Sequence, residues 1–223
     1  MLDDADLDAA VNAAVFGSFM NQGQICMSTE RVVVDEKIAD AFVERCGKRA
    51  AALKVGGPTD PTPIGPGVDP SSAERVTRLI QDAVKQGAKL VCGGSGDGVY
   101  FKPTIVDRVT RDMQLYHEES FGPIVAIVRV SGDDEAVRVA NDSEYGLSAA
   151  VFGRDVSRAI SVAQRIESGM CHINSPTVQD EPQMPFGGVK ASGFGRFGGL
   201  AGVHEFTELR WLSIALQPRH YPF

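Results

Sequence analysis

The chain has 223 residues, 43% hydrophobic and 23% charged, with a net charge of −7 at pH 7. That is the balance of a globular protein with room for one sizeable domain. The acidic balance argues against a nucleic-acid or anionic-membrane surface, both of which select basic patches, and no apolar run approaches the ~20 residues that span a bilayer.

Residues 4–19 place Leu7, Ala10, Val11, Ala14 and Val15 on one helical face, with aspartates at the start, where the helix dipole favours them. Gly23 ends that pattern. RVVV (31–34) reads as a buried strand, and Ile38, Phe42, Cys46, Ala50 and Leu53 restore a helical period over 36–54. The connector GGPTDPTPIGPG (56–67) is loop. Ser71 and Glu74 fit a capping box for a helix carrying Val76, Leu79, Ile80 and Val84.

KLVCGG and TIVDRV read as strands, and PIVAIVRV (123–130) as the central strand. A helix over 133–141, a strand over 147–153, a helix from Asp155 and a strand over 170–174 follow. Residues 175–199 form a Gly- and Pro-rich stretch too long for a plain connection, which marks it as functional. FTELRWLSIAL (206–216) closes the chain as a β-like run suited to pairing with another subunit. The alternation predicts an α/β fold with a largely parallel, doubly wound sheet in a single domain, 1–223.

The four cysteines, Cys26, Cys46, Cys92 and Cys171, have no CxxC spacing and are too sparse for a disulfide scaffold. Reduced thiols and an acidic start without a signal-peptide pattern point to the cytoplasm. The four histidines show no ligand spacing, so no metal site is expected. Gly193, Gly195 and Gly198 match GxGxxG. No strand precedes them and the chain ends too soon for a dinucleotide unit, so a loop with unusual backbone angles is expected there.

Two features stay open on local chemistry alone. Cys26, in NQGQICMST, follows a helix break. It is either a small buried hydrophobe or a thiolate near backbone donors. EESFGP (118–123) is either a solvated acidic turn anchored by Phe121 or a ligand-facing tract.

Taken together, NQGQIC, EESFGP, NDSEYGLSAAVF and MPFGGVKASGFGR, in that order, resemble the aldehyde dehydrogenase superfamily along essentially the whole chain. INSPTVQDEPQMPFGGV and the ending PRHYPF are similar to its aromatic-aldehyde branch, the salicylaldehyde and vanillin dehydrogenases. The resemblance implies that Cys26 attacks the aldehyde carbon, and that Glu119 and Phe121 contact the nicotinamide end of NAD or NADP. It also implies that Met20, Ile25, Met27 and Phe186 line the aldehyde tunnel. Ser72 and Arg75 stand where the family often carries Gln and Lys, so the adenine-side role is not carried over.

Family members are about twice this length, and their LELGG-type strand with the general-base glutamate has no match here. The chain is therefore expected to be the cysteine-bearing catalytic domain alone, binding the cofactor weakly and turning over little aldehyde. A homo-oligomer through the terminal strand is expected. A cysteine esterase or hydrolase, and a non-catalytic oligomerisation module, are the competing readings.

Overall fold

A computed structural model describes residues 1–223. Helix α1 (Leu7–Phe19) opens where the Asp6 carboxylate accepts the N–H groups of Asp8 and Ala9, both at 3.1 Å. It stops at a left-handed turn, in which Asn21, Gln22 and Gly23 have φ of 49°, 59° and 70°. Strand β1 (Arg31–Asp35) runs straight into α2 (Glu36–Ala51), because Asp35 ends the strand and caps the helix through Lys37 N at 3.0 Å. Helix α3 (Pro70–Lys85) starts earlier than the Ser71–Glu74 box implies. Pro70 suits the first helical position, so the cap falls on Asp69, which accepts from Ser72 N at 3.2 Å.

The chain continues through β2 (Lys89–Cys92), β3 (Gly96–Asp97), β4 (Tyr100–Phe101), β5 (Thr104–Asp107), α4 (Gln114–His117) and β6 (Ile124–Val130). Then come α5 (Gly132–Asn141), β7 (Tyr145–Gly146), β8 (Ser148–Val151), α6 (Val156–Ala163), β9 (Met170–Ile173), β10 (Val189–Lys190) and α7 (Gly199–Glu205).

The main sheet has the order β1-β6-β5-β2. β1, β6 and β5 are parallel, and β2 is antiparallel to β5 at the edge. The main sheet is largely parallel, as expected, and the parallel pair β8–β9 stands apart from it. β6 shows why helices cover both faces. Val125 and Ile127 join the core under α1 and α2, while Ile124, Ala126 and Val128 join the core under α3 and α5. Each buried aliphatic side chain contributes about 1.5–3 kcal/mol. No helix is long and apolar enough to cross a membrane.

Two charged groups hold the scaffold. The Arg129 guanidinium grips Asp107 through Nε and Nη2, at 3.1 and 2.8 Å, and reaches Asp40 through Nη1 at 2.7 Å. Arg158 joins Asp3, Asp4 and Asp133, tying the start of the chain to α5 and α6. The run 206–216 forms no strand. Leu209, Trp211 and Ile214 are 98%, 92% and 82% exposed, since no strand edge of this chain lies against them.

Candidate active site

The cysteine loop is built by its neighbours. Gly23 is required where the chain leaves α1. Its φ of 70° is left-handed, and a Cβ there would lie 2.1 Å from the Gly122 carbonyl oxygen. That close approach brings the cysteine loop against the EESFGP loop. Ser28 N donates to Ile25 O at 2.9 Å, closing a turn whose second residue is Cys26. The Thr177 hydroxyl donates to Met27 O at 2.7 Å and contacts the Thr29 hydroxyl at 2.8 Å. Ser18 Oγ donates to Thr29 O at 2.9 Å. The turn is thus pinned to α1 on one side and to the long 175–199 stretch on the other. Cys26 is exposed, and its N–H donates to no backbone group.

The second loop is held by a residue that the sequence did not single out. Glu30, just before β1, accepts the N–H groups of Ser120 and Phe121 at 3.0 and 3.1 Å. Burial pushes its carboxyl above the usual range, opposed by those hydrogen bonds. Arg75 Nε donates to Ser120 O at 3.0 Å from α3. Between these anchors Phe121 takes a left-handed φ of 42°. Glu118 turns outward to Arg78 at 3.5 Å. Glu119 is exposed and makes no hydrogen bond or ion pair within the chain.

Both loops open into one trough of about 530 Å³, whose lining includes Cys26, Met27, Glu30, Glu119, Phe121 and Tyr145. Of the residues expected from sequence, the structure gathers Cys26, Met27, Glu119 and Phe121 there. Met20, Ile25 and Phe186 are not part of its lining. Met20 is 45% exposed, and Phe186 pairs with Phe197 through two backbone hydrogen bonds of 2.8 Å. In the glycine loop, a Cβ on Gly198 (φ 86°) would sit 2.1 Å from the Met184 carbonyl oxygen, so close backbone packing explains that glycine. The signal for Glu30 was its place, a carboxylate immediately before a β-branched strand.

The other thiols differ from Cys26. Burial pushes Cys46 up to about 12 and Cys171 to about 11, and raises Cys92. No histidine hydrogen-bonds Cys26. His117 reaches the trough wall, but its Nε2 is engaged with Arg111 O at 2.6 Å.

Residues 1–212 match the Aldehyde dehydrogenase family. A vanillin dehydrogenase of Pseudomonas fluorescens is 56% identical over 223 residues, which is 100% of this chain and 46% of that protein. A salicylaldehyde dehydrogenase of Pseudomonas putida is 55% identical over 225 residues, covering 100% of this chain and 47% of its own. The crystal structure of a salicylaldehyde dehydrogenase from Pseudomonas putida, complexed with salicylaldehyde, superposes with a TM-score of 0.96 at 56% identity, over 100% of this chain and 46% of that one. The chain thus spans about half the length of the relatives it matches. With residues 1–212 matched and the fold shared to this extent, the chain belongs to the aldehyde dehydrogenase family.

Proposed function

We propose that these residues form the cysteine-bearing catalytic unit of an aromatic aldehyde dehydrogenase that uses NAD or NADP. The observation that carries this reading is that Cys26, the one exposed thiol, lines the same trough as Glu119 and Phe121. Its support lies in the relatives named for vanillin and salicylaldehyde.

The Cys26 thiolate attacks the carbonyl carbon of the aldehyde and forms a thiohemiacetal. The Cys26 N–H has no backbone acceptor and is free to donate to the oxyanion that develops. Met27, next in sequence to the cysteine and also in the trough lining, brings a polarisable thioether suited to a flat aromatic ring. The unpaired Glu119 carboxylate can accept from ribose hydroxyls, and Phe121 can lie against a nicotinamide. These two residues fit the nicotinamide end of a dinucleotide, and the cofactor, when bound, supplies the hydride acceptor. Once hydride has left the thiohemiacetal carbon, the resulting Cys26 thioester would be hydrolysed by water to the acid and the free thiol. The absence of any histidine paired with Cys26 weighs against the hydrolase reading, which needs such a base.

Little or no sustained dehydrogenase turnover is expected of the 223 residues alone, since no histidine serves Cys26 and thioester hydrolysis without a positioned base slows by about 10²–10⁴-fold. para-Nitrophenyl acetate tests the nucleophile independently of any cofactor. One acyl group per chain, mapped to Cys26 and lost in Cys26→Ser, is expected. Acylation spread over Cys92 and Cys171, or rapid steady turnover of vanillin with NAD⁺ by this chain, would overturn the reading.

A further inference from the structure

The turn that carries Cys26 keeps donors in reserve. The N–H groups of Ile25, Cys26 and Met27 have no hydrogen-bond acceptor within the chain, while the next one, of Ser28, closes the turn on Ile25 O at 2.9 Å. Spare donors at a thiol aid an oxyanion only when the turn stays in place, because an amide acts there by its alignment. On the side of the long 175–199 stretch the turn is held by a chain of hydroxyls. Thr177 makes all the hydrogen bonds between that stretch and residues 20–30.

The chain of hydroxyls has a fixed direction. A threonine hydroxyl carries one proton. That of buried Thr177 goes to Met27 O at 2.7 Å, so the proton in its 2.8 Å contact with Thr29 Oγ1 comes from Thr29. The order is Thr29 to Thr177 to the Met27 carbonyl. Both threonines are anchored by their backbones. Thr29 N donates to Gly17 O at 3.0 Å, and Thr29 O accepts from Ser18 Oγ at 2.9 Å. Thr177 O accepts from Ser148 Oγ of β8 at 2.7 Å. Gly17 makes room for the pair. A Cβ there would lie 2.3 Å from Thr29 Oγ1 and 3.5 Å from Thr177 Oγ1. A glycine inside a helix weakens it, and in α1 that glycine admits the two hydroxyls.

We propose that Thr177 is a positioning residue for acyl transfer: its hydroxyl holds the Met27 peptide, and with it the Cys26 thiol and N–H, in the relative placement that a tetrahedral oxyanion requires. The proposal rests on the reading of Cys26 as the nucleophile and extends it to the 175–199 stretch, whose displacement is felt at Cys26 through this one side chain. Valine at 177 has the shape of threonine but leaves the Met27 carbonyl and the Thr29 hydroxyl without their partner. Serine keeps the hydroxyl.

Two reactions of the same thiol separate positioning from exposure. With para-nitrophenyl acetate the Cys26 thiolate adds to the carbonyl carbon, and the oxyanion collapses with the S–C bond kept and para-nitrophenolate expelled. With iodoacetamide the thiolate displaces iodide and no oxyanion forms. Both rate constants are measured at Cys26 by peptide mapping, on the full chain and its variants. Thr177→Val is expected to slow acylation roughly tenfold, part of the roughly 10²–10³ lost when an oxyanion donor is removed outright, while alkylation changes less than about twofold. Thr177→Ser should restore acylation. Thr29→Val should give a similar loss, and the double variant should be no slower than either single one, since both cut the same chain. Thr29→Val also carries the comparison if Thr177→Val does not fold. Equal slowing of both reactions, an unchanged ratio or no rescue by serine would overturn the proposal and leave the nucleophile reading standing. A parent chain whose Cys26 alkylates but does not acylate would overturn both.

Discussion

At the scale of single residues, three groups make measurable predictions. Glu30 holds two backbone N–H groups of the EESFGP loop. Glu30→Ala leaves both donors without an acceptor and is expected to cost about 1–3 kcal/mol in urea unfolding. Glu30→Gln keeps one acceptor oxygen and should fall between. A Glu30→Ala chain as stable as the parent would show that the loop does not depend on this anchor. Gly23→Ala drives a methyl group into the Gly122 carbonyl at a left-handed φ. A loss of at least about 2 kcal/mol is expected, among the larger single-site effects.

Met1 gives a pH dependence. Its amine is held at about 6 against an ordinary 8.0, so the unfolded chain binds the proton more readily. Stability therefore rises as pH climbs from 6 to 8, by at most about 3 kcal/mol. Burial lowers His172 as well and acts with the same sign. The readout is therefore the difference between the free and the N-acetylated chain. Acetylation is expected to flatten that part of the thermal-melting profile, and identical profiles would contradict it.

At the scale of elements, local chemistry was legible where it was self-contained. The β-branched and aliphatic runs RVVV and IVAIVRV became β1 and β6 because both faces of each are covered. The Asp69 cap was missed because the Ser71–Glu74 spacing competes with it, and the fixed ring of Pro70 decides between them. Asp69→Ala should lower stability by about 1 kcal/mol, measured by chemical denaturation, while Ser71→Ala should cost less. The run 206–216 carries the apolar alternation of a strand, yet alternation specifies only a face. A strand also needs an edge, and this chain sets none beside it.

At the scale of the whole molecule, the fold class was readable from the order of strands and helices, but the placing of β8–β9 apart from the main sheet was not. Sequence pattern does not say which strands are neighbours, and that placing emerges only from the strand pairings. The site was legible in a similar, partial way. Cys26 was ambiguous until EESFGP, about ninety residues on, gave it a context, and the Gly23–Gly122 contact is the physical form of that link. Glu30 stayed hidden because its partners are backbone groups, which leave no mark on composition.

The central claim is that Cys26 is the thiol that meets the aldehyde. It is tested most directly by following iodoacetamide alkylation of each cysteine by peptide mapping, with and without vanillin or salicylaldehyde. Cys26 is expected to react first, ahead of Cys46, Cys92 and Cys171, and to be slowed selectively by the aldehyde as the thiohemiacetal forms. Alkylation of Cys26 at a rate indifferent to aldehyde, with protection appearing at another cysteine or nowhere, would contradict the account.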